Sequence, residues 1–195
     1  MYFSGEEKIS WSNYTEKGWT KVELEDLSRE QLEYLLKDFA KRWLAHDGLW
    51  FLQVEKSYGM EEAIRLDAEA WEQFTVIEAR RIMEYLNLEP GGGLSALREA
   101  LQYRLYSVIN KQEIIEQDKN TLVFRMNDCR VQAARRRKKM PDFPCRPVGL
   151  VEYAGFARTI DSRIQTKCIY CPPDEHPEDS YCAWEFTLTS EQENV

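Results

Sequence analysis

The sequence predicts an α+β protein in which long N-terminal helices pack on a small antiparallel sheet with further helices. Three observations carry this. Two long stretches before residue 90 repeat apolar residues at helical spacing. Two short stretches in the last third alternate apolar and polar residues with period two. Proline and glycine clusters interrupt the chain between them: Pro90 with Gly91 to Gly93, Pro141 to Pro147, and Pro172-Pro173. The organisation expected is an irregular N-terminal arm over 1–26, a helical part over 27–118, and an α+β, cysteine-containing part over 119–190. The last two form one compact unit.

The arm is polar with scattered aromatics: Tyr2, Phe3, Trp11, Tyr14 and Trp19. Ser28 to Gln31 has the form of a capping box. It opens a helix in which Leu32, Leu35, Leu36, Phe39, Trp43, Trp50, Phe51 and Val54 recur, running to Tyr58 with Gly59 as the stop. A second helix is expected over Glu61 to Asn87, with Ile64, Trp71, Phe74, Ile82 and Tyr85 on its stripe. A third is expected from Leu94 to about Glu116, carrying Leu97, Leu101, Leu105, Val108 and Ile109. Thr121 to Met126 is rich in strand formers and reads as a strand. Cys129 to Lys139 reads as a helix, the segment around Cys145 as a proline-stiffened loop, and Gly149 to Ile160 as another helix. Arg163 to Tyr170 and Tyr181 to Leu188 alternate as strands, with Cys168 and Cys182 each on a partly apolar face.

Composition narrows the function. The 195 residues hold 34 acidic and 26 basic side chains, a net charge of −8, and 43% apolar residues with six tryptophans. Global disorder is excluded. A chain this long buries roughly 70% of its unfolded surface, so it needs no disulfide staples. No apolar run approaches the ~20 residues that span a bilayer, and the N-terminus lacks the layout of an export signal. The acidic balance argues against nucleic acid. A cytoplasmic protein without membrane contact is expected, and a homodimer is a candidate assembly.

Polar residues interrupt the apolar stripes. From Trp43, helical steps reach His46 and Asp47, then Trp50 and Phe51, with Gly48 between them. On the second helix, Asp67, Trp71 and Glu78 share a stripe. A buried carboxylate without a partner costs several kcal/mol. Either arginines such as Arg80, Arg81 and Arg104 pair with these acids, or the acids line a polar pocket between helices. The pocket candidates are therefore Trp43, His46, Asp47, Trp50, Asp67, Trp71 and Glu78. Gly48 weakens a helix by ~1 kcal/mol relative to alanine, and it would leave room for a ligand or for close helix contact.

The five cysteines, Cys129, Cys145, Cys168, Cys171 and Cys182, all lie beyond residue 128. An odd count without an export signal reads as reduced thiols. Clustering makes all five candidate metal ligands, with zinc as the candidate cofactor. Cys168-Ile-Tyr-Cys171 has the spacing of one zinc knuckle, and both sulfurs reach one ion only if the strand turns near Cys171. Cys168 and Cys182 could meet across an antiparallel pair. Small buried core thiols are the plain alternative. The run Arg135 to Lys139 reads as a solvated helix face. The chain holds no phosphate-binding glycine loop, nucleophile elbow or zinc-protease motif.

Three stretches together carry a family resemblance: Trp43 to Glu55; Cys129, Gln132, Ala134 and Arg135 with Pro144-Cys145; and Ile160-Asp161, Cys168 to Asp174 and Tyr181 to Phe186. Over about residues 27 to 188 the chain resembles a family of uncharacterised prokaryotic proteins, a domain of unknown function. Its closing part is similar to 4-vinyl-reductase-type small-molecule-binding domains and to the aminothiazoline-carboxylate hydrolase group. The resemblance implies helices on an antiparallel sheet, as in the ligand-binding fold of nitric-oxide-signalling and Golgi-transport proteins. It also implies a small, often apolar ligand and cysteines as zinc ligands. The acidic Pro172-Pro173-Asp174-Glu175 segment and the additional Cys171 depart from the family pattern.

The function expected is small-molecule binding with a thiolate metal site. A second expectation is a hydrolase-like enzyme acting on a small C–N or C–S compound, with His46, Asp47, Asp67 and Glu78 as acid–base groups or Cys129 as nucleophile. A structural or oligomeric interaction protein is the third. No catalytic residue is assigned.

Overall fold

A computed structural model describes residues 22–189. The chain divides into two compact units, Met1–Leu35 and Leu36–Val195. Most of the arm expected over 1–26 lies outside the described residues. The described part of the first unit holds a 3-10 turn, Leu24–Asp26, and the beginning of helix α1 (Arg29–Tyr58). The capping box is formed reciprocally: the Gln31 amide donates to Ser28 Oγ at 3.2 Å, and the Ser28 amide to Gln31 Oε1 at 2.8 Å.

The second unit continues α1 and adds α2 (Met60–Leu86), α3 (Gly93–Leu101), β1 (Lys111–Asp118), β2 (Thr121–Asp128), α4 (Arg130–Arg137), α5 (Arg146–Ile160), β3 (Ile164–Tyr170) and β4 (Cys182–Leu188). Gly59, at φ 89°, separates α1 from α2, and Asn87 closes α2 in the left-handed conformation that asparagine tolerates. The four strands form one antiparallel sheet in the order β1-β2-β4-β3.

The expected third helix is too long. It ends at Leu101, once Ala96, Leu97, Ala100 and Leu101 are buried, and turns lead into β1. The apolar spacing after Leu101 imitates a helix, but Ile114 and Ile115 pair with Phe124 and Val123 across a hairpin. Asp118 stabilises that hairpin's turn by accepting the Asn120 amide at 2.7 Å. Every other expected element is present within a few residues of its expected bounds.

Helices α3 and α5 pack on the sheet and α2 packs on α5 and α3, and the core among them holds Leu97, Leu101, Leu122, Phe124, Phe156, Trp184 and Phe186. Two glycines let α5 lie this close. A Cβ at Gly149 would sit 2.5 Å from Trp184 Cζ2, and one at Gly155 would sit 2.5 Å from Thr75 Cγ2. Asp161, at the end of α5, accepts the Gly93 amide at 2.9 Å and pairs with Arg163 at 2.7 Å. Arg163 holds this carboxyl down at about 2.

In contrast to α2, α1 has no buried residue along its length. In the second unit it is attached by side chains. Trp43 stacks on Phe74 at 6.5 Å and meets Tyr106 edge-on at 6.0 Å, and Phe51 meets Phe143 edge-on at 5.0 Å. This stand-off leaves space beneath the helix.

Replacing Gly149 by alanine should force the indole of Trp184 aside. Overpacking of this kind costs about 1–3 kcal/mol, while alanine's better helix propensity returns up to ~1 kcal/mol. Urea denaturation should show a net loss of stability for Gly149→Ala, and an unchanged midpoint would contradict the packing.

Candidate functional site

The space beneath α1 is a cavity of about 460 Å³. Its wall comes from α1, α2, α4, α5, β4 and the turns between α3 and β1. The lining is mainly apolar and aromatic, with Phe51, Trp71, Tyr106, Phe143, Tyr153 and Trp184 as its rings. Gly48 contributes an open patch: a Cβ there would have nothing within 4 Å. Size and lining suit a small organic molecule.

Three carboxylates reach this wall from three helices: Asp47 on α1, Asp67 on α2 and Glu152 on α5. Burial raises Asp47, with His46 opposing. Burial, then the charges of Asp47 and Glu152, raise Asp67 to about 7, while the indole N–H of Trp71 opposes the rise. Neither aspartate forms an ion pair among the described residues.

Burial raises Glu152 as well, but here a buried arginine opposes the rise. Arg104, 3% exposed, pairs with Glu152 at 2.7 Å and with Glu78 at 3.0 Å. Its guanidinium also lies 4.8 Å from the ring centre of Phe156, 5.1 Å from that of Tyr153 and 5.7 Å from that of Trp71. Glu78 in turn accepts the Leu105 amide at 2.9 Å, and Thr75 Oγ1 donates to the Glu152 carbonyl at 2.7 Å. The group ties α2, α5 and the turn before Tyr106 into one support behind the cavity.

The α4 side of the wall is fixed just as firmly. Gln132 donates to the Phe143 carbonyl at 2.8 Å and accepts the Phe143 amide at 2.9 Å. Arg135 clasps Glu55 of α1 through two bonds of 2.7 and 3.0 Å and donates to the Pro141 carbonyl at 2.7 Å. Of the basic run expected as a solvated face, Arg135 is therefore buried, Arg136 pairs with Asp142 at 2.9 Å, and Arg137 to Lys139 are exposed.

The sequence-derived pocket residues separate into groups. Asp47, Asp67 and Trp71 line the cavity. Glu78 lies behind it, held by Arg104. Trp43 packs on the outer side of Phe74 and Tyr106, His46 is exposed, and Trp50 is 70% exposed. The acid–base set expected for a hydrolase is thus divided between cavity, support and surface. Tyr106 escaped sequence reasoning because it falls inside the overlong third helix. Glu152 and Gln132 carried a usable signal, each being a polar residue in an apolar stretch.

The five cysteines are free thiols, and their geometry differs from that expected. Cys168 stands opposite Trp184 and Cys182 opposite Met126, so the two do not meet across the strands. The β3 strand ends at Tyr170, and Cys171 there contacts both Cys145 and Cys168. Bonds from Cys145, Arg146 and Cys168 hold the Cys171 thiol down at about 6. Its bond to Cys171 drives Cys145 up, and burial is the main cause that raises Cys168 to about 12. Burial raises Cys129 and Cys182, and both line the cavity. Among the described residues, no three or more His, Cys, Asp or Glu side chains gather in a geometry that could hold a metal ion. No described helix is long and apolar enough to cross a membrane.

A four-stranded antiparallel sheet with helices packed on it makes this a mixed α+β fold. The crystal structure of the phenol-responsive sensory domain of the transcription activator PoxR with phenol is similar to this chain, with a TM-score of 0.51 and 15% identity over 77% of this chain and 76% of that one. At this identity the likeness defines the fold alone. The chain belongs to DUF6125, a family of unknown function, whose model matches residues 24–188. No curated protein sequence matches it.

Replacing Arg104 by methionine should leave Glu78 and Glu152 buried without a counter-charge, at a cost of ~3–5 kcal/mol. The two carboxyls would then gain stability by taking up protons. Denaturation of Arg104→Met should therefore show a larger loss at pH 8 than at pH 5, and equal losses would contradict the arrangement.

Proposed function

We propose that this chain is a small-molecule-binding domain whose ligand, a compact and largely apolar molecule, occupies the cavity beneath α1. The observation that carries this reading is the aromatic cavity of about 460 Å³. Its wall is braced on both sides by buried ion pairs, Arg104 with Glu78 and Glu152, and Arg135 with Glu55. Such bracing pre-organises a site. The fold neighbour is described as a phenol-responsive sensory domain. The resemblance of the closing segment to 4-vinyl-reductase-type domains points the same way.

Gly48 offers a direct test. Leucine there would project into the open patch, and leucine is a better helix former than glycine by ~1 kcal/mol. Gly48→Leu should fold with equal or higher stability and lose the melting-temperature rise that small aromatic compounds produce in the parent protein. Retained binding in this variant would move the ligand site elsewhere.

A second reading is a thiolate metal site, and the contact of Cys145, Cys168 and Cys171 favours it. The thiols as placed bond to one another rather than converge on a common centre, so a metal would have to draw them inward, with Cys182 or Cys129 completing the set. Zinc is the ion that soft thiolate donors suit. Protein purified without added metal should then carry about one equivalent of zinc and release it as its thiols are titrated. Metal-free protein with five readily titrated thiols would exclude this reading.

A further inference from the structure

We propose that the cavity selects a protonated amine carried on an aromatic or apolar body, with Asp67 as the principal counter-ion and Asp47 beside it. This rests on the cavity being the ligand site and specifies what that site recognises.

The argument is one of unbalanced charge. Within the cavity wall, Glu152 is neutralised by Arg104, which is shared with Glu78. Asp47 and Asp67 have no such partner among the described residues. The cations on the same wall are engaged elsewhere or face water. Arg135 is held by Glu55 and the Pro141 carbonyl, and Arg130 Nε donates to the Ile109 carbonyl at 2.7 Å. Lys41, Arg137 and Lys138 are exposed. Two carboxylates thus face an apolar space in which no described cation forms an ion pair with them. A ligand ammonium placed there would gain charge-assisted hydrogen bonds that a neutral molecule cannot match. Of the wall rings, Trp71 and Tyr153 already lie against Arg104, and Tyr106 is left to favour a cation while accommodating an apolar body. The indole N–H of Trp184, 1% exposed and also on the wall, has the Cys182 thiol as a weak partner, so an acceptor atom on the ligand would compete for it.

Three probes that share a ring and differ in head group separate the alternatives: benzylamine, which is protonated at neutral pH, benzyl alcohol and benzoate. Their binding would be measured by calorimetry and melting temperature on the parent protein and on Asp67→Asn, Asp47→Asn and Gly48→Leu. Benzylamine should bind the parent at least about tenfold more tightly than either other probe. Asp67→Asn should remove that preference while leaving benzyl alcohol within about threefold of its parent affinity, and Asp47→Asn should reduce the preference less. Asp67→Asn removes a half-buried carboxylate that has no ion pair among the described residues, so it should fold at least as well as the parent. Equal or tighter binding of benzyl alcohol or benzoate, or a preference untouched by Asp67→Asn, would overturn the amine assignment. The cavity reading would still stand in that case, provided that Gly48→Leu abolishes the binding. If no probe binds the parent in the millimolar range, the cavity reading fails and the amine assignment fails with it.

Discussion

The arrangement depends on one buried guanidinium. Arg104 lies where α2, α5 and the turns after α3 meet, and it forms ion pairs with Glu78 and Glu152 while resting against three aromatic rings. A buried ion pair is a poor source of net stability, because desolvation offsets most of the attraction. What it supplies is position. An apolar side chain at 104 could settle in several ways, whereas a planar fork with two carboxylates and three rings around it has one arrangement. That arrangement fixes the turn carrying Leu105, whose amide Glu78 accepts, and so places Tyr106 on the cavity wall.

Glycine acts in two opposite senses around this support. Gly149 and Gly155 remove volume so that α5 can close on Trp184 and Thr75. Gly48 removes volume where nothing closes in. The same residue type therefore packs the lower layer tightly and leaves the upper layer open. Helix α1 completes the picture: its residues in the second unit reach the other helices through ring contacts and the Glu55–Arg135 clasp. A helix attached by a few long side chains leaves a gap that a helix packed by small residues would fill.

Much of this was legible in the sequence. Helical periodicity located α1 and α2, and period-two alternation located β3 and β4, because in each case one face is more covered than the other, although on α1 that face is at most half-buried. Strand β1 was hidden because Leu101, Leu105, Val108 and Ile109 continue a helical spacing into a segment that is not helical. The spacing is real, but the hairpin that recruits Ile114 and Ile115 is a long-range fact. The acids on the apolar stripes were recognisable as abnormal, yet Glu78 and Asp67 looked alike. Only the fold shows that one meets Arg104 and that the other, among the described residues, meets the Trp71 indole and no cation. Cys168 and Cys182 were likewise placed on the right strands, but their register depends on pairing that spacing alone does not determine.

That difference between Glu78 and Asp67 bears directly on function. Had both carboxylates served only the fold, both would be expected to have a cationic partner, as the buried acids Glu78, Glu152 and Asp161 do, whereas Asp67 has the neutral indole N–H of Trp71. Asp67 and Asp47 instead share a cavity wall, where burial raises both and the charge of Asp47 makes Asp67 harder to ionise. Placing two acids together in an apolar setting is a local penalty that asparagine or glutamine would avoid. Strongly shifted groups in a cleft are the expected mark of a site in use, since that is where a chain accepts a cost to stability for the sake of binding. The supporting ion pairs make the cost tolerable, because they hold the wall in place whether or not the two aspartates find a cation.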